Sequence, residues 1–397
     1  MAPLKTYLLS LLLTASPLLA HKRDLPIPEF TQEEIDSGAA LRELNRIAGA
    51  NAHRLFGNNC SPATVKIRRE WRALSKPERR QFIAAVKCIM AKPNTVLSQD
   101  EVPGAKSLYD AIVWAHADRS GYMHMSGNFL VFHRYYLHTY ERELALCGWD
   151  QGLPYWEWGL DVDAPHLSPV FDGSDTSLGS DGAFIPNRPP RVLDFIGFDE
   201  PTIIPPGTGG GCVMKGPFSD MVVRLGPIDV LPGEPIPSHP EEGREENPRC
   251  LERDLNADPL RRWNTFRNVT ELILGYRTIR EFQGTLDGDP RVTRESMGAH
   301  SGGHEAIGGI AVNPMLSPYD PAFWLTHNML ERVYWIWQLL DFKNRQGVHG
   351  TGTFLNMPPS ANVTVEDELD LSPHNGPVKI KDLMNSLSGA PLCYVYV

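Results

Sequence analysis

The sequence predicts a mainly α-helical fold with a central four-helix bundle, long loops rich in proline and glycine, and a few short strands. Two helical stretches carry histidines on their apolar faces, as expected where facing helices of a bundle project ligands inward. The chain has 34 glycines and 34 prolines, which excludes a long uninterrupted helical array. The stretch 160–250 is rich in Pro, Gly and Asp and is predicted to be mostly loop.

The composition is that of a globular protein. The 397 residues are 42% hydrophobic and 22% charged, and this length is sufficient for one large domain with an ample core. There are 38 basic and 48 acidic residues, so the formal net charge is −10. Because nucleic-acid-binding surfaces are usually basic, this balance argues against a nucleic-acid partner.

The amino terminus has the pattern of a secretory signal peptide. Lys5 supplies a positive charge, an apolar run covers residues 8–19, and Ala20 is a small residue at a cleavage position. The run is too short to span a bilayer, and no later uncharged segment reaches that length. We therefore predict a signal peptide over residues 1–20, secretion, and no membrane association.

The dibasic pair Lys22-Arg23 predicts further processing, which leaves residues 24–397 as a single domain. This domain contains two glycosylation sequons, at Asn268 and Asn362. An even number of cysteines in a secreted chain indicates disulfides, but six cysteines allow 15 pairings and the sequence does not choose among them. The six are Cys60, Cys88, Cys147, Cys212, Cys250 and Cys393.

The first helical region covers residues 31–92. Apolar spacing predicts a helix from Glu33 to Ala48, which Gly49 would end. A second helix is predicted to begin at Ser75, since Ser75-Lys-Pro-Glu78 combines an N-cap serine with Pro and Glu in the first turn.

The next helical regions carry the histidine groups. Residues 105–147 are predicted to form two helices with a break at Ser120-Gly121, and helix is again predicted over 259–284 and 295–342. The sequence Asp320-Pro321 is a start signal, with a capping carboxylate and proline at the first position. From Gly350 onward, turns and short strands are predicted.

The first histidine group is His116, His124 and His133. On one continuous helix these spacings would separate neighbours by roughly 80° and 180°, so one helix cannot aim all three at a point. With a break at Ser120-Gly121, His116 would end one helix and His124 would lie in the connection. His133 would then lie on a helix from Phe129 to Leu146, on its apolar side.

The second histidine group is His300, His304 and His327. The first two are four residues apart and share one helical face, close enough for one metal ion. Gly302 and Gly303 lie between them and each cost about 1 kcal/mol of helix propensity, which indicates close backbone approach. The residue after the first histidine is Ser301, not the glutamate that the zinc-protease motif HExxH requires.

Each triad offers three neutral imidazoles without cysteine or an evident carboxylate. Such a donor set suits copper or zinc, and the spacing does not choose between them. Two triads on two pairs of helices predict a binuclear centre inside a four-helix bundle.

The two triads lie in sequence contexts that resemble the copper-binding signatures of tyrosinases and catechol oxidases. The first signature is matched by the triad with Phe132-His133-Arg134 and Glu141. The second is matched by His300-x-x-x-His304 and by Asp320-Pro-x-Phe-Trp before His327. The segments Arg68-Arg-Glu-Trp71 and Tyr155-Trp-Glu-Trp158 are also similar to family segments, and the likeness is greatest to short fungal members.

This resemblance implies a type-3 dicopper centre inside the bundle. His116, His124 and His133 would hold copper A, and His300, His304 and His327 would hold copper B. The implied activity is oxidation of small phenolic substrates, o-diphenols to o-quinones, with O2 as co-substrate. The chain ends with Tyr394-Val-Tyr396, which resembles the motif that closes the family's catalytic domain, so no C-terminal shielding domain is expected.

Several positions depart from the family pattern. Many members that hydroxylate monophenols have Asn directly after the first copper-B histidine, whereas this chain has Ser301, so weak or absent monophenol hydroxylation is expected. Tyr122 occupies the position of a thioether-forming cysteine, so no thioether is expected. Gln283 is a candidate for holding the water that assists hydroxylation. Three bulky residues are candidates for limiting substrate size: Glu305, Ile307 and Met315.

Four alternatives remain open from the sequence. A true tyrosinase or an o-aminophenol oxidase would use the same centre, and an O2 carrier of the hemocyanin type would contain it in blocked form. A zinc hydrolase would need only one triad. The sequence does not indicate the oligomeric state.

Overall fold

The computed structural model describes residues 25–57, 59–230 and 234–397. The predicted signal peptide and its processing site lie outside these ranges. Among the helices of the described ranges, none combines the length and the apolar character needed to cross a bilayer.

The described chain is mainly helical, which confirms the predicted fold class. Its α-helices are α1 (Gln32–Asp36), α2 (Ala39–Ala52), α3 (Lys76–Ala91), α4 (Leu108–Met123), α5 (Phe129–Leu146), α6 (Ala257–Trp263), α7 (Phe266–Gly275), α8 (Ile279–Asp287), α9 (Gly298–Ile307) and α10 (Ala322–Leu340).

The strands are short and pair two by two. They are β1 (Lys66–Arg68), β2 (Gly182–Phe184), β3 (Arg191–Leu193), β4 (Thr202–Ile204), β5 (Gly210–Val213), β6 (Val222–Val223), β7 (Arg249–Cys250), β8 (Glu368–Leu371), β9 (Asn375–Lys379) and β10 (Tyr394–Tyr396). The pairs are β1–β10, which is parallel, and the antiparallel pairs β2–β5, β3–β4, β6–β7 and β8–β9. Six strands thus lie in the loop-rich stretch 160–250, and the tail has the predicted short strands.

The first predicted helix starts within one residue of the predicted position, but it is divided in two and ends later than predicted. Gly38 adopts a left-handed conformation (φ 75°) and separates α1 from α2. The second helix then continues through Gly49 to Ala52. Asn51 and Ala52 are buried against the core, and this burial stabilises the extra turn. The start of α3 is as predicted: the Ser75 hydroxyl accepts from the Glu78 N–H, and the Glu78 carboxylate accepts from the Ser75 N–H.

The predicted break at Ser120-Gly121 is also wrong. Helix α4 passes through both residues and ends at Met123, so His116 lies inside the helix and His124 is its C-cap. Another part of the chain packs closely on Gly121, where a side chain would not fit: a Cβ there would lie 2.6 Å from the carbonyl oxygen of Ile236. The glycine thus permits a loop to approach the helix and does not interrupt it.

The carboxyl-terminal helical regions are more divided than predicted. The stretch 259–284 covers α7 and most of α6 and α8, and the stretch 295–342 contains α9 and α10 with an irregular connection between them. The start signal at Asp320 is confirmed, since its carboxylate accepts from the Ala322 N–H at 2.8 Å. Helix α5 has the predicted bounds.

Helices α4, α5, α9 and α10 form the central bundle. Every residue of α10 is buried, and this helix packs against α2, α5 and α9. Two fully buried arginines pair with buried glutamates of the bundle: Arg68 on β1 pairs with Glu141 on α5 at 3.2 Å, and Arg134 on α5 pairs with Glu331 on α10 at 2.9 Å. A large apolar core with paired internal charges therefore surrounds the histidines.

The structure pairs all six cysteines, which the sequence left open. The disulfides are Cys60–Cys393, Cys88–Cys147 and Cys212–Cys250.

Candidate metal centre

The first histidine group converges at one point. His116 projects from α4, His124 from the C-cap of that helix, and His133 from α5. One ring nitrogen from each of the three lies within 4.8 Å of the others. The wide sequence spacing is compatible with one site because the chain turns between α4 and α5, after Met123 and not at the predicted Ser120-Gly121.

The second group converges more tightly. His304 Nε2 lies 3.1 Å from His300 Nε2 and 3.0 Å from His327 Nε2. Helix α9 approaches its neighbours through the glycines between its two histidines, as predicted. A Cβ at Gly303 would lie 2.8 Å from Thr326 Cγ2, and a Cβ at Gly302 would overlap the Asn264 side chain.

The two triads face each other. The rings of His133 and His327 stack with centroids 4.5 Å apart, and those of His124 and His300 stack at 5.9 Å. Six imidazoles from four helices, one of them at a helix C-cap, therefore enclose a single space.

Hydrogen bonds at Nδ1 orient five of the six rings. Because every partner is an oxygen acceptor, each of these Nδ1 atoms carries the hydrogen, and Nε2 keeps its lone pair. The acceptors are the carbonyl oxygens of Met315 for His116, Ser120 for His124, Phe129 for His133 and Ala311 for His304, and the carboxylate of Asp287 for His300. His327 Nδ1 has no hydrogen-bond partner within the described ranges.

Burial keeps these imidazoles neutral. Desolvation lowers the pKa of His133, His300 and His304 to about 3, and it lowers the pKa of the other three histidines well below the usual range. The Nε2 atoms of His116 and His133 are buried without a hydrogen-bond partner in the described chain. Neutral nitrogens with converging lone pairs repel one another unless a cation lies between them, so the donor set fits two metal ions.

The chain matches the family model of the common central domain of tyrosinase over residues 106–340, which includes both triads and all four bundle helices. The chain belongs to the tyrosinase family. The type-3 centre of this family contains two copper ions, and the two triads fit its copper A and copper B sites.

Individual proteins in this family match most of the chain. Tyrosinase P of Aspergillus terreus is 36% identical over 337 residues, which cover 83% of this chain and 91% of that protein. N-acetyl-6-hydroxytryptophan oxidase of Emericella nidulans is 31% identical over 375 residues, with 91% and 99% covered. A solved structure of a mutant polyphenol oxidase from Thermothelomyces thermophila is similar with a TM-score of 0.76 and 31% identity, over 92% of this chain and 96% of that one.

A cavity of about 320 Å³ connects the centre with the surface. Three histidines line it: His124, His300 and His304. The other three are covered by protein, and the Phe323 ring stacks on His327 with centroids 4.0 Å apart and meets His116 edge-on. A small molecule can therefore reach the centre from one side, over the copper B helix α9.

The residues predicted to act beside the copper ligands or to limit substrate size lie in different places. Ser301 and Glu305 line the cavity. Ile307 and Met315 are buried and do not line it. The Gln283 amide donates to the carbonyl oxygens of Ser126 and His349, so its role as a water holder stays a prediction.

Two carboxylates near the centre were missed. Asp287 is buried, accepts from His300 Nδ1 at 2.7 Å and from the Met125 N–H at 3.0 Å, and its burial raises its pKa to about 8. Glu305 was named only for its size; burial raises its pKa to about 7, and it pairs with Arg191 at 3.0 Å. No local pattern marks either role, because each contact joins separate elements of the fold: His300 lies on the helix after Asp287, and Arg191 is 114 residues from Glu305.

Proposed function

We propose that this tyrosinase-family protein oxidises o-diphenols to o-quinones and hydroxylates monophenols weakly or not at all. The observation that carries the proposal is the open cavity that reaches three of six converging imidazoles, with Ser301 beside them. In the overall reaction two o-diphenols each lose two electrons and two protons, and one O2 is reduced to two molecules of water.

In this proposal His116, His124 and His133 hold copper A, and His300, His304 and His327 hold copper B. The copper pair, when bound, supplies the two-electron redox chemistry with O2. The chain orients the ligands through their Nδ1 hydrogen bonds and excludes water on the side covered by Phe323. The cavity then admits the phenol ring beside His300 and His304.

Access to the centre supports an enzyme over an O2 carrier. A carrier of the hemocyanin type needs its centre blocked, whereas here the cavity reaches His124, His300 and His304. The name N-acetyl-6-hydroxytryptophan oxidase of one relative supports a substrate class that includes hydroxylated aromatic amino-acid derivatives beside simple catechols.

A paired assay tests the proposal. Copper-loaded protein is given 4-methylcatechol or 4-methylphenol, and O2 consumption and quinone absorbance are followed. We expect prompt turnover of the catechol and a long lag or silence with the phenol. A copper-loaded protein that is inert toward every o-diphenol, or that hydroxylates 4-methylphenol without a lag, would contradict the proposal.

Ser301→Asn tests why hydroxylation is weak. We expect the ratio of monophenol to diphenol turnover to rise at least several-fold, because an amide beside the copper B ligands can orient a water that deprotonates the phenol. Ser301→Ala is the matched control and should leave the ratio low. Equal ratios in the two variants would show that this position does not limit hydroxylation.

We also propose that residues 1–20 are removed as a signal peptide, that processing follows Arg23, and that residues 24–397 act as one secreted domain. Three disulfides support an oxidising compartment. Amino-terminal sequencing of protein from the culture medium tests this, and a mature chain that still contains residues 1–20 would refute it. Glycosylation at Asn268 and Asn362 stays a prediction, which the mass of the same protein checks.

A further inference from the structure

One strand, β3, borders the substrate cavity with one of its backbone edges. Six consecutive residues, 191–196, line the cavity, and the first three of them form β3. Side chains of a strand alternate between two faces, so a continuous run can border one cavity only where the backbone edge of the strand is presented to it.

The other edge of β3 pairs with β4. In this antiparallel pair Val192 lies opposite Ile203, flanked by the pairs Arg191–Ile204 and Leu193–Thr202. Pro205 has no N–H, so the Arg191–Ile204 pair must be joined by its own two hydrogen bonds. The Ile203 carbonyl oxygen accepts from Arg262 Nη1 at 3.1 Å. The pair of Val192 and Ile203 is therefore the non-hydrogen-bonded kind, in which both residues direct their N–H and C=O groups outward.

The backbone groups of Val192 consequently point out of the free edge, toward the cavity. Within the described ranges neither its N–H nor its C=O has a hydrogen-bond partner. Val192 is 59% exposed, and its side chain lies on the face of the hairpin opposite Leu193, so it does not cover these groups.

The hairpin is held in place on its inner face. Leu193 packs against a small apolar cluster of Ile204, Trp263 and Met297. Arg191 pairs with Glu305, the residue next to His304, which ties the start of β3 to the copper B helix. The free edge therefore has a fixed position relative to the histidine triads.

We propose that Val192 binds an amide-bearing substrate through its backbone, and that the substrate class is o-diphenols built on an N-acylated amino-acid unit. One residue at a strand edge can exchange two hydrogen bonds with one residue of an extended ligand: its N–H donates to the ligand's C=O, and its C=O accepts from the ligand's N–H. This inference rests on the proposed oxidation of o-diphenols at the same cavity.

The strand is short, which limits the unit that is recognised. Strand β3 ends at Leu193, so it offers one outward-facing residue to a ligand. A single N-acylated amino acid satisfies both groups of Val192. Further peptide residues on either side would find no continuing edge and should add little affinity.

The first test changes the substrate and leaves the protein intact. N-acetyl-3,4-dihydroxyphenylalanine N-methylamide is compared with its ester analogue, O-acetyl-3-(3,4-dihydroxyphenyl)lactic acid N-methylamide, which lacks the recognised N–H. We expect kcat/KM to be about threefold to tenfold lower for the ester, as for loss of one hydrogen bond. Equal values would overturn the proposal. A pentapeptide centred on the same residue should have the same kcat/KM as the single N-acylated unit. A tenfold higher kcat/KM for the pentapeptide would show that peptides are recognised instead.

The second test removes one donor from the protein. Val192→Pro deletes the outward N–H without deleting a hydrogen bond of the β3–β4 ladder, since proline is tolerated on a strand edge. Ile203→Pro is the matched control, because the Ile203 N–H points out of the opposite edge. We expect Val192→Pro to lower kcat/KM for the amide diphenol severalfold relative to 4-methylcatechol, and Ile203→Pro to leave that ratio unchanged. Equal losses on both substrates, or equal ratios in the two variants, would overturn the proposal.

A binding measurement separates this proposal from the proposed function. N-acetylphenylalanine N-methylamide has no phenol hydroxyl and cannot be oxidised at the ring as a catechol is. We expect calorimetry to give it a Kd about threefold to tenfold lower than that of its O-acetyl ester analogue. If 4-methylcatechol is not oxidised but this difference is present, the proposed function fails and the amide site stands. If the catechol is oxidised and the two ligands bind equally, the amide site alone fails.

Discussion

Asp287 illustrates how one buried carboxylate can set the properties of a ligand. One of its oxygens accepts from His300 Nδ1 and the other from the Met125 N–H, so both are occupied by donors. A carboxylate behind a histidine fixes the tautomer and raises the basicity of the opposite nitrogen.

Asp287→Asn tests this contact. Asparagine offers one acceptor oxygen to two donors, so one donor must face the amide NH2. We expect copper affinity to fall by about tenfold or more at the second triad, measured by competition with a chelator. Asp289→Asn is the control, because Asp289 is next but one in sequence and pairs with Arg291, not with a histidine. Unchanged affinity in Asp287→Asn would show that the contact does not tune the site.

At the scale of single elements, glycines in helices have two different roles. Gly49 lies in α2, and a Cβ there would have open space around it. Gly302 lies in α9, where a Cβ would overlap the Asn264 side chain and lie 3.0 Å from Trp263 Cβ. Local sequence cannot distinguish these cases, which is why Gly49 was wrongly predicted to end a helix.

Substitution by alanine at the two glycines should have opposite effects. Gly49→Ala should stabilise the protein by about 0.5–1 kcal/mol, because alanine lowers the entropy of the unfolded chain and nothing obstructs its methyl group. Gly302→Ala should destabilise it by about 1–3 kcal/mol through overpacking of α9 against α6. Chemical denaturation of the copper-free protein measures both, and a stabilising Gly302→Ala would contradict the packing argument.

At the scale of the whole molecule, distant parts of the chain are joined around the bundle. The Cys60–Cys393 disulfide has a sequence separation of 333, and β1 pairs in parallel with β10 beside it. The buried Arg68 on β1 contacts Tyr396 on β10: Arg68 Nη1 donates to the Tyr396 hydroxyl at 2.9 Å. The Cys212–Cys250 disulfide, with a separation of 38, closes only a part of the loop-rich stretch.

Removal of the long-range disulfide should cost more stability than removal of the short one. In the chain-entropy model the difference between loops of these lengths is about 2 kcal/mol. We therefore expect the double variant C60A/C393A to unfold at lower denaturant concentration than C212A/C250A, with both compared with the parent chain. If the two double variants unfold at the same midpoint, loop closure does not determine their relative stability.

The sequence by itself indicated that most of the six histidines lie on helices, and it named the members of both triads. These depend on local periodicity and on residue type: an i, i+4 pair shares a face in any helix, and apolar spacing directs His133 inward. The start of α3, the start of α10 and the bounds of α5 follow from the same local rules.

Only the tertiary structure decided what lies behind and around those histidines. The Asp287 contacts with His300 and Met125, the disulfide pairing and the position of Val192 beside the cavity each depend on how separate elements pack, and local periodicity carries no information about such packing. Tertiary packing also decided the end of α4 at Met123, since the loop around Ile236 packs on Gly121 and stabilises the continued helix. Long-range packing contributes free energy that local propensity does not include, so it sets the details of the site.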